Sequence, residues 1–417
     1  MTARDADAFT RDPVTLLAYG DISCVAYCLY GLGPILAFLR ADMHLSYALT
    51  TLHSVLWSAG SIAAGLAFGP ASNRLGRRRL LWAATAAFCA GTVLLATGHV
   101  LPLTLTACLL MGTSATALFI VTSAILADRH GPRRDRAFIE ANAGAVAMAV
   151  LAPLVLGGLG GTAVTWRAGL AVPLAGFAAL YLRFRQVRPP PGPAGTTGPA
   201  GTTGPAGTTP PASTTPPAST TGPASRPGAG PGRLPADYWV RAGLVAVCVA
   251  TEFCVVFYAA ELLHAAGMAL DRAATALTVF YLGELVGRLA GAWLTRRRPG
   301  SRVLVTGALV VTAAGFTAFW LSGRSPLALA GLSVTGLGVA NLYPLTLGLA
   351  MAAAPGDSDR AAARTQVLSG AAVLTAPFAL SLMADAWGVS RAFVIEPVLI
   401  ALAAILLATD TMKHGLR

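Results

Sequence analysis

Charge is scarce in this sequence. Asp, Glu, Lys and Arg make up 12% of its 417 residues, hydrophobic residues make up 55%, and the mean hydropathy is +0.65. A water-soluble chain of this length must solvate far more charged surface, so that class is excluded. Lysine is almost missing, Lys413 being the only one. The net charge of +12 does not form a nucleic-acid-binding face, because the arginines stand in short clusters between apolar blocks. No nucleic-acid partner is expected. GxSxG, HExxH and the GxxxxGK[ST] loop are all absent, which argues against an enzyme and against ATP as a direct energy source; no cofactor is expected. The six cysteines (Cys24, Cys28, Cys89, Cys108, Cys248 and Cys254) lie inside apolar blocks, without CxxC or Cys/His spacing. Cys24 and Cys28 share a helix face and read as small packing residues; no metal site is expected.

What the chain does have is long apolar runs, many of them beyond the roughly 18–20 residues that cross about 30 Å of hydrocarbon. Twelve candidate spans lie near residues 14–39, 46–69, 79–98, 102–127, 138–159 and 165–183, then 239–264, 273–295, 302–322, 327–353, 361–384 and 391–410. The first is too long for a signal-peptide core and should stay in the membrane. Arginines crowd alternate loops: Arg74 with Arg77–Arg79, Arg129 with Arg133, Arg134 and Arg136, the central segment, Arg296–Arg298 with Arg302, and Arg360 with Arg364. The opposite loops hold only Arg40, Arg167, Arg272, Arg324 and Arg391. Positive residues stay inside, so both termini and the central loop are expected in the cytoplasm of a multi-pass protein of the cell inner membrane.

Residues 185–237 are low in complexity, with three copies of GPAGTT and two of PPASTT. Gly recurs every third residue from Gly192 to Gly207, but a cytoplasmic collagen helix this short is not expected; a disordered, semi-extended linker is. It separates residues 1–184 from 238–417, six spans each. A shift of about 224 residues pairs Gly112 with Gly336, Thr122 with Thr346, Asp135-Arg136-Ala137 with Asp359-Arg360-Ala361, Pro153 with Pro377, and Arg167-Ala168 with Arg391-Ala392. One ordered series at one offset implies internal duplication. The expected fold is an all-α membrane protein of twelve transmembrane helices in two pseudo-symmetric six-helix bundles.

Between spans 2 and 3 stands Gly69-Pro-Ala-Ser-Asn73-Arg74-Leu-Gly76-Arg77-Arg78-Arg79, which resembles the GxxxDRxGRR loop of the major facilitator superfamily, with Asn73 where an acidic residue is usual. Gly287-Arg288-Leu-Ala-Gly291, followed by Arg296–Arg298, echoes it in the second half. The resemblance covers essentially the whole chain. It implies a cytoplasmic gate at Gly69, Asn73, Arg74, Gly76, Arg77, Asp135 and Arg136, whose arginines pair with acidic residues and helix C-termini of a neighbouring helix. Ala152-Pro153-Leu-Val-Leu-Gly157-Gly158 in span 5 is similar to the signature of family exporters, though one residue too long and with Ala152 for the first Gly. Span 4 departs from the drug:proton antiporters, carrying Cys108 where they place an arginine four residues before a glycine.

Ionisable side chains in hydrocarbon cost about 2.5–3.5 kcal/mol each and usually face a cavity or a partner. Glu252 in span 7 is the first choice for a proton- or cation-responsive site. Glu284 and Arg288, four apart on span 8, share a face and can pair. Asp21 in span 1 can bind a cationic group or pair with Arg288. Glu140 sits near arginines at the edge of span 5, and Glu396 in span 12 either meets outside water or pairs with Arg391. Tyr27, Tyr30, His53, Trp57, Asn142, Tyr258, Asn341 and Tyr343 are candidates for a substrate cavity. The resemblance, in which spans 1, 4, 7 and 10 line that cavity, favours those on spans 1, 7 and 10; for the aromatics, packing or an interfacial belt competes with that role.

The reading is a secondary transporter of a small organic solute, working by alternating access and expected to be monomeric, with protons or another ion as co-substrate and the lipid bilayer as solvent. It leans to proton-coupled efflux of a drug or metabolite by an antiporter. The alternatives are proton-symport import of a sugar, nucleoside or organic acid, and a membrane sensor or scaffold that transports nothing.

Overall fold

A computed structural model describes residues 10–131, 134–189, 234–295, 300–323, 325–354 and 358–415. The repetitive segment between the halves, Arg133 and Arg296–Arg298 lie outside them. Every element among the described residues is helical, as hydrocarbon requires of a chain that must satisfy each backbone N–H and C=O within its own segment.

The first half runs α1 (Pro13–Tyr30), α2 (Leu32–Met43), α3 (Tyr47–Leu75), α4 (Arg77–Thr97), α5 (Leu101–His130), α6 (Arg134–Gly160), a 3-10 turn (Trp166–Leu170) and α7 (Ala171–Phe184). The second runs α8 (Ala236–Ala265), α9 (Leu270–Thr295), α10 (Ser301–Leu321), α11 (Pro326–Val339), α12 (Leu342–Ala352), α13 (Ser358–Trp387), α14 (Val389–Ala392) and α15 (Ile395–Gly415). Among the described residues, eleven helical segments are long and apolar enough to cross a membrane, counting α11 with α12 and α14 with α15 as one each. The twelfth span is α7, 14 residues long, extended at its start by the 3-10 turn that precedes it.

Proline chemistry explains why three spans are split. Pro34, Pro344 and Pro397 have no N–H to give the carbonyls of Tyr30, Ala340 and Phe393, and the helix breaks at Gly31, at Ala340–Asn341 and at Phe393–Val394. Pro70, Pro153 and Pro377 fall inside unbroken helices. Ends are set by local caps: the Asp12 carboxylate accepts from the Thr15 N–H at 2.9 Å, and Ser46 accepts from Leu49 at 3.2 Å. Gly76, at φ +71°, makes the turn from α3 to α4 that a side chain would strain.

Two compact units result. One holds α1 to α7 together with Met268–Thr278 from the start of α9; the other holds α8 and the chain from Val279 onward. Each is built on the same close approaches. In the first, a Cβ on Gly112 of α5 would overlap the carbonyl of Trp57 on α3; in the second, one on Gly336 of α11 would overlap the carbonyl of Phe280 on α9. Gly91 of α4 lies against the backbone of Ala107 and Met111, and Gly315 of α10 against that of Gly331 and Thr335. All of these approaches recur at the sequence offset, to within one residue. Thr122 bonds back to the Leu118 carbonyl, and Thr346 does the same to Leu342. With lipid as solvent, close backbone packing through small residues is what holds helices together, and duplication preserved it.

Candidate functional site

The polar groups of the second unit converge. Glu252 on α8 is buried and lies within electrostatic reach of Glu284 and Arg288 on α9. Arg288 donates to the Glu284 carboxylate one helical turn away. Tyr343, at the start of α12 and also within reach of Glu252, donates its hydroxyl to Gln366 Oε1 on α13 at 3.4 Å. Asn341, at the break between α11 and α12, donates to the Gly287 carbonyl at 2.6 Å, tying that break to the turn of α9 that carries Arg288. One guanidinium thus bonds one carboxyl and stands within electrostatic reach of a second, both buried. Such a group of charges can hold a proton or a cation and release it when the balance among the three changes. Tyr258, two turns along α8 from Glu252, is buried.

The first unit is different. Asp21 is fully buried, with neither oxygen hydrogen-bonded among the described residues; the thiols of Cys24 and Cys89 lie near it. Gly20 and Cys24, on either side of it, pack against Leu180 and Gly176 of α7, so Asp21 points into the bundle. Tyr27 is buried and donates to the Gly169 carbonyl at 3.0 Å. His53 is satisfied locally: Nδ1 lies 2.9 Å from the Thr50 carbonyl and Nε2 2.9 Å from the Thr104 hydroxyl, which fits a neutral ring donating through Nδ1. Trp57 is buried edge-on to Phe88, its indole N–H without an acceptor. Tyr30 and Asn142 are half-buried.

At the arginine-rich end of this unit, two of the arginines that follow Gly76 bond to neighbouring segments. Arg77 pairs with Asp128 in the last turn of α5 at 2.5 Å, and Arg78 donates to the Arg185 carbonyl beyond α7 at 2.6 Å. Arg74 is exposed, and Gly69 has open space about it. The side chains of Asn73 and Asp135 lie outside the described residues. Glu140 binds Arg11 at 2.7 and 2.8 Å and Arg136 at 3.2 Å. Arg129 holds Asp12 at 2.6 Å. Burial pushes the Asp12 carboxyl up, but its hydrogen bonds from Thr15 and Arg129 outweigh that and leave it below the usual carboxylate range.

Two expectations change. Glu396 is fully buried beside the Cys254 thiol of α8, and among the described residues it makes no ion pair with Arg391. The charged groups inside the second unit also number more than expected. Arg241 (α8) binds Asp410 (α15) at 2.7 Å, Arg302 (α10) binds it at 2.8 Å, and Glu261 is buried on α8. Arg241 and Asp410 escape a reading of mid-span charges because they sit at span ends; opposite charges at the same end of spans 7 and 12 were the available signal. Among the described residues, no three His, Cys, Asp or Glu side chains are arranged for a metal.

Several solved structures that share this architecture are of transporters. A crystal structure of the nucleoside transporter NupG superposes with a TM-score of 0.69, at 11% identity, over 96% of this chain and 98% of that one. A D-xylose–proton symporter does so at 0.72, 15% identity, over 95% and 96%. A bacterial homologue of the human lysosomal transporter Spinster does so at 0.69, 15% identity, over 96% and 94%. No curated protein sequence matches significantly. The sequence model of the Major Facilitator Superfamily matches residues 22–258 and 241–414. This chain therefore belongs to the Major Facilitator Superfamily and is a multi-pass membrane transporter.

Proposed function

We propose that the chain is a proton-coupled secondary transporter of a small organic solute, with Glu252 as the residue whose proton exchanges during the cycle. The observation that carries this is the cluster of Glu252, Glu284 and Arg288: two buried carboxyls and one guanidinium. With both carboxyls ionised the trio is net negative, and a proton or a cationic solute restores the balance. Tyr343, within reach of Glu252, and Asn341, bonded to the turn of α9 that carries Arg288, would contact a solute there, with Tyr258 further along α8. The six-span halves, residues 1–184 and 238–417 joined by the linker 185–237, move about the site in alternating access. Both termini face the cytoplasm.

The direction we favour is efflux. Its support is the span 5 signature, whose Gly157 lies against the backbone of Thr275 with no space for a side chain. Cys108, buried where antiporters carry an arginine, favours instead import by proton symport, and the same carboxyl serves either direction. In vesicles with an imposed pH gradient, a library of labelled metabolites and drugs is expected to yield a solute whose flux follows the gradient. Glu252→Gln should remove the pH dependence while leaving expression intact. Undiminished pH dependence in that variant overturns the assignment.

A further inference from the structure

On its outer surface the second unit carries a feature that transport chemistry leaves unused. A groove of about 330 Å³ runs between α10 and α15, lined by Leu309, Val310 and Ala313 on one side and Ile400, Ala404 and Leu407 on the other. The alanines are too short to close the gap between the helices, and Val310 and Ala404 are exposed, so the groove opens to the bilayer.

Its end nearest the arginine-rich loops is marked by charge. Thr306 lines the groove, and Arg302 is one turn away on the same face of α10. Arg302 Nη2 holds Asp410 at 2.8 Å, one turn beyond Leu407 on α15. Its Nε and Nη1 make no hydrogen bond or ion pair among the described residues, and its side chain is 31% exposed.

We propose that this groove is a binding site for an anionic phospholipid, with an acyl chain against the alanines and the phosphate on the unused donors of Arg302. A guanidinium N–H donates well to a phosphate oxygen, and the leaflet facing arginine-rich loops is the one rich in anionic lipid. A second copy of this chain fits less well. A helix some 10–12 Å across does not enter a groove of this size, and a copy with the same +12 charge would repel Arg302.

The test uses the full chain in neutral detergent. Retention of phosphatidylglycerol and phosphatidylcholine with identical acyl chains is compared by native mass spectrometry, with glycerol phosphate as competitor. The wild type should retain phosphatidylglycerol in preference, and glycerol phosphate should not displace it. Arg302→Gln should cut the preference about fivefold, the factor one arginine contributes at an anionic surface. Ala404→Phe should remove one tightly held lipid of either kind. Because Arg302→Gln also strips a partner from Asp410, the exposed Ala404→Phe decides if the first variant does not fold. Equal retention of the two lipids by the wild type, a preference untouched by both variants, displacement by glycerol phosphate, or self-association that Ala404→Phe abolishes would each overturn the proposal.

Discussion

The two units share a skeleton and differ in what they bury. Gly112 on Trp57 and Gly336 on Phe280 are the same contact made twice, as are Gly91 on α5 and Gly315 on α11. Yet among the described residues the first unit buries one carboxylate, Asp21, whereas the second buries Glu252, Glu284, Glu261, Glu396 and the Arg241–Asp410 pair. At the shifted positions, Glu252 answers to Cys28 and Glu396 to Val172. Duplication copied the packing but not the buried charges. Backbone packing tolerates little change in either half, while a buried side chain is free to diverge.

That comparison can be broken at several levels. The largest effect belongs to the shared contacts. Gly112→Ala and Gly336→Ala each drive a methyl into a fixed backbone carbonyl, and each should cost about 3 kcal/mol or more, at or beyond the top of the usual range for overpacking. Thermal unfolding in detergent reads it. If one variant is as stable as the wild type, the two contacts are not equivalent.

Next come the ion pairs, which differ sharply between the units. The Arg241 and Asp410 side chains are 7% and 3% exposed, against 57% and 21% for Arg11 and Glu140. Asp410→Ala leaves Arg241 without its buried carboxylate partner and should cost about 3–5 kcal/mol. Glu140→Ala should cost no more than about 1 kcal/mol. Equal losses would mean that burial does not separate the two networks.

A smaller effect concerns acid. The Asp12 carboxyl titrates below its usual range in the folded chain, so its contribution is present above the unfolded value near pH 4 and disappears as pH falls through the folded one. Asp12→Asn should therefore lower stability by a constant amount between pH 6 and 8, and the difference from wild type should shrink as pH falls below about 4. A difference that is absent at neutral pH, or that grows on acidification, would contradict this.

Much of the fold was legible in the sequence. The boundaries of the twelve spans follow from apolar length alone, and the observed helices end within a few residues of them. The breaks in spans 1, 10 and 12 were legible too, through Pro34, Pro344 and Pro397, but span counting passes over them. Glu284 and Arg288 could be paired from their spacing, because a helix fixes which residues meet at four apart. Gln366 could not: it reaches Tyr343 across two helices, and periodicity carries no information on which helix faces which. His53 and Tyr27 illustrate the same limit from the other side, since only the fold reveals that Thr104 and the Gly169 carbonyl stand ready to bond them.

The most direct test of the account sets the two units against each other. Solute-evoked proton movement would be followed with a pH-sensitive dye in vesicles containing the wild type, Glu252→Gln or Asp21→Asn. The account predicts that proton movement collapses in Glu252→Gln and persists in Asp21→Asn. Proton movement that survives Glu252→Gln and is lost in Asp21→Asn would contradict it.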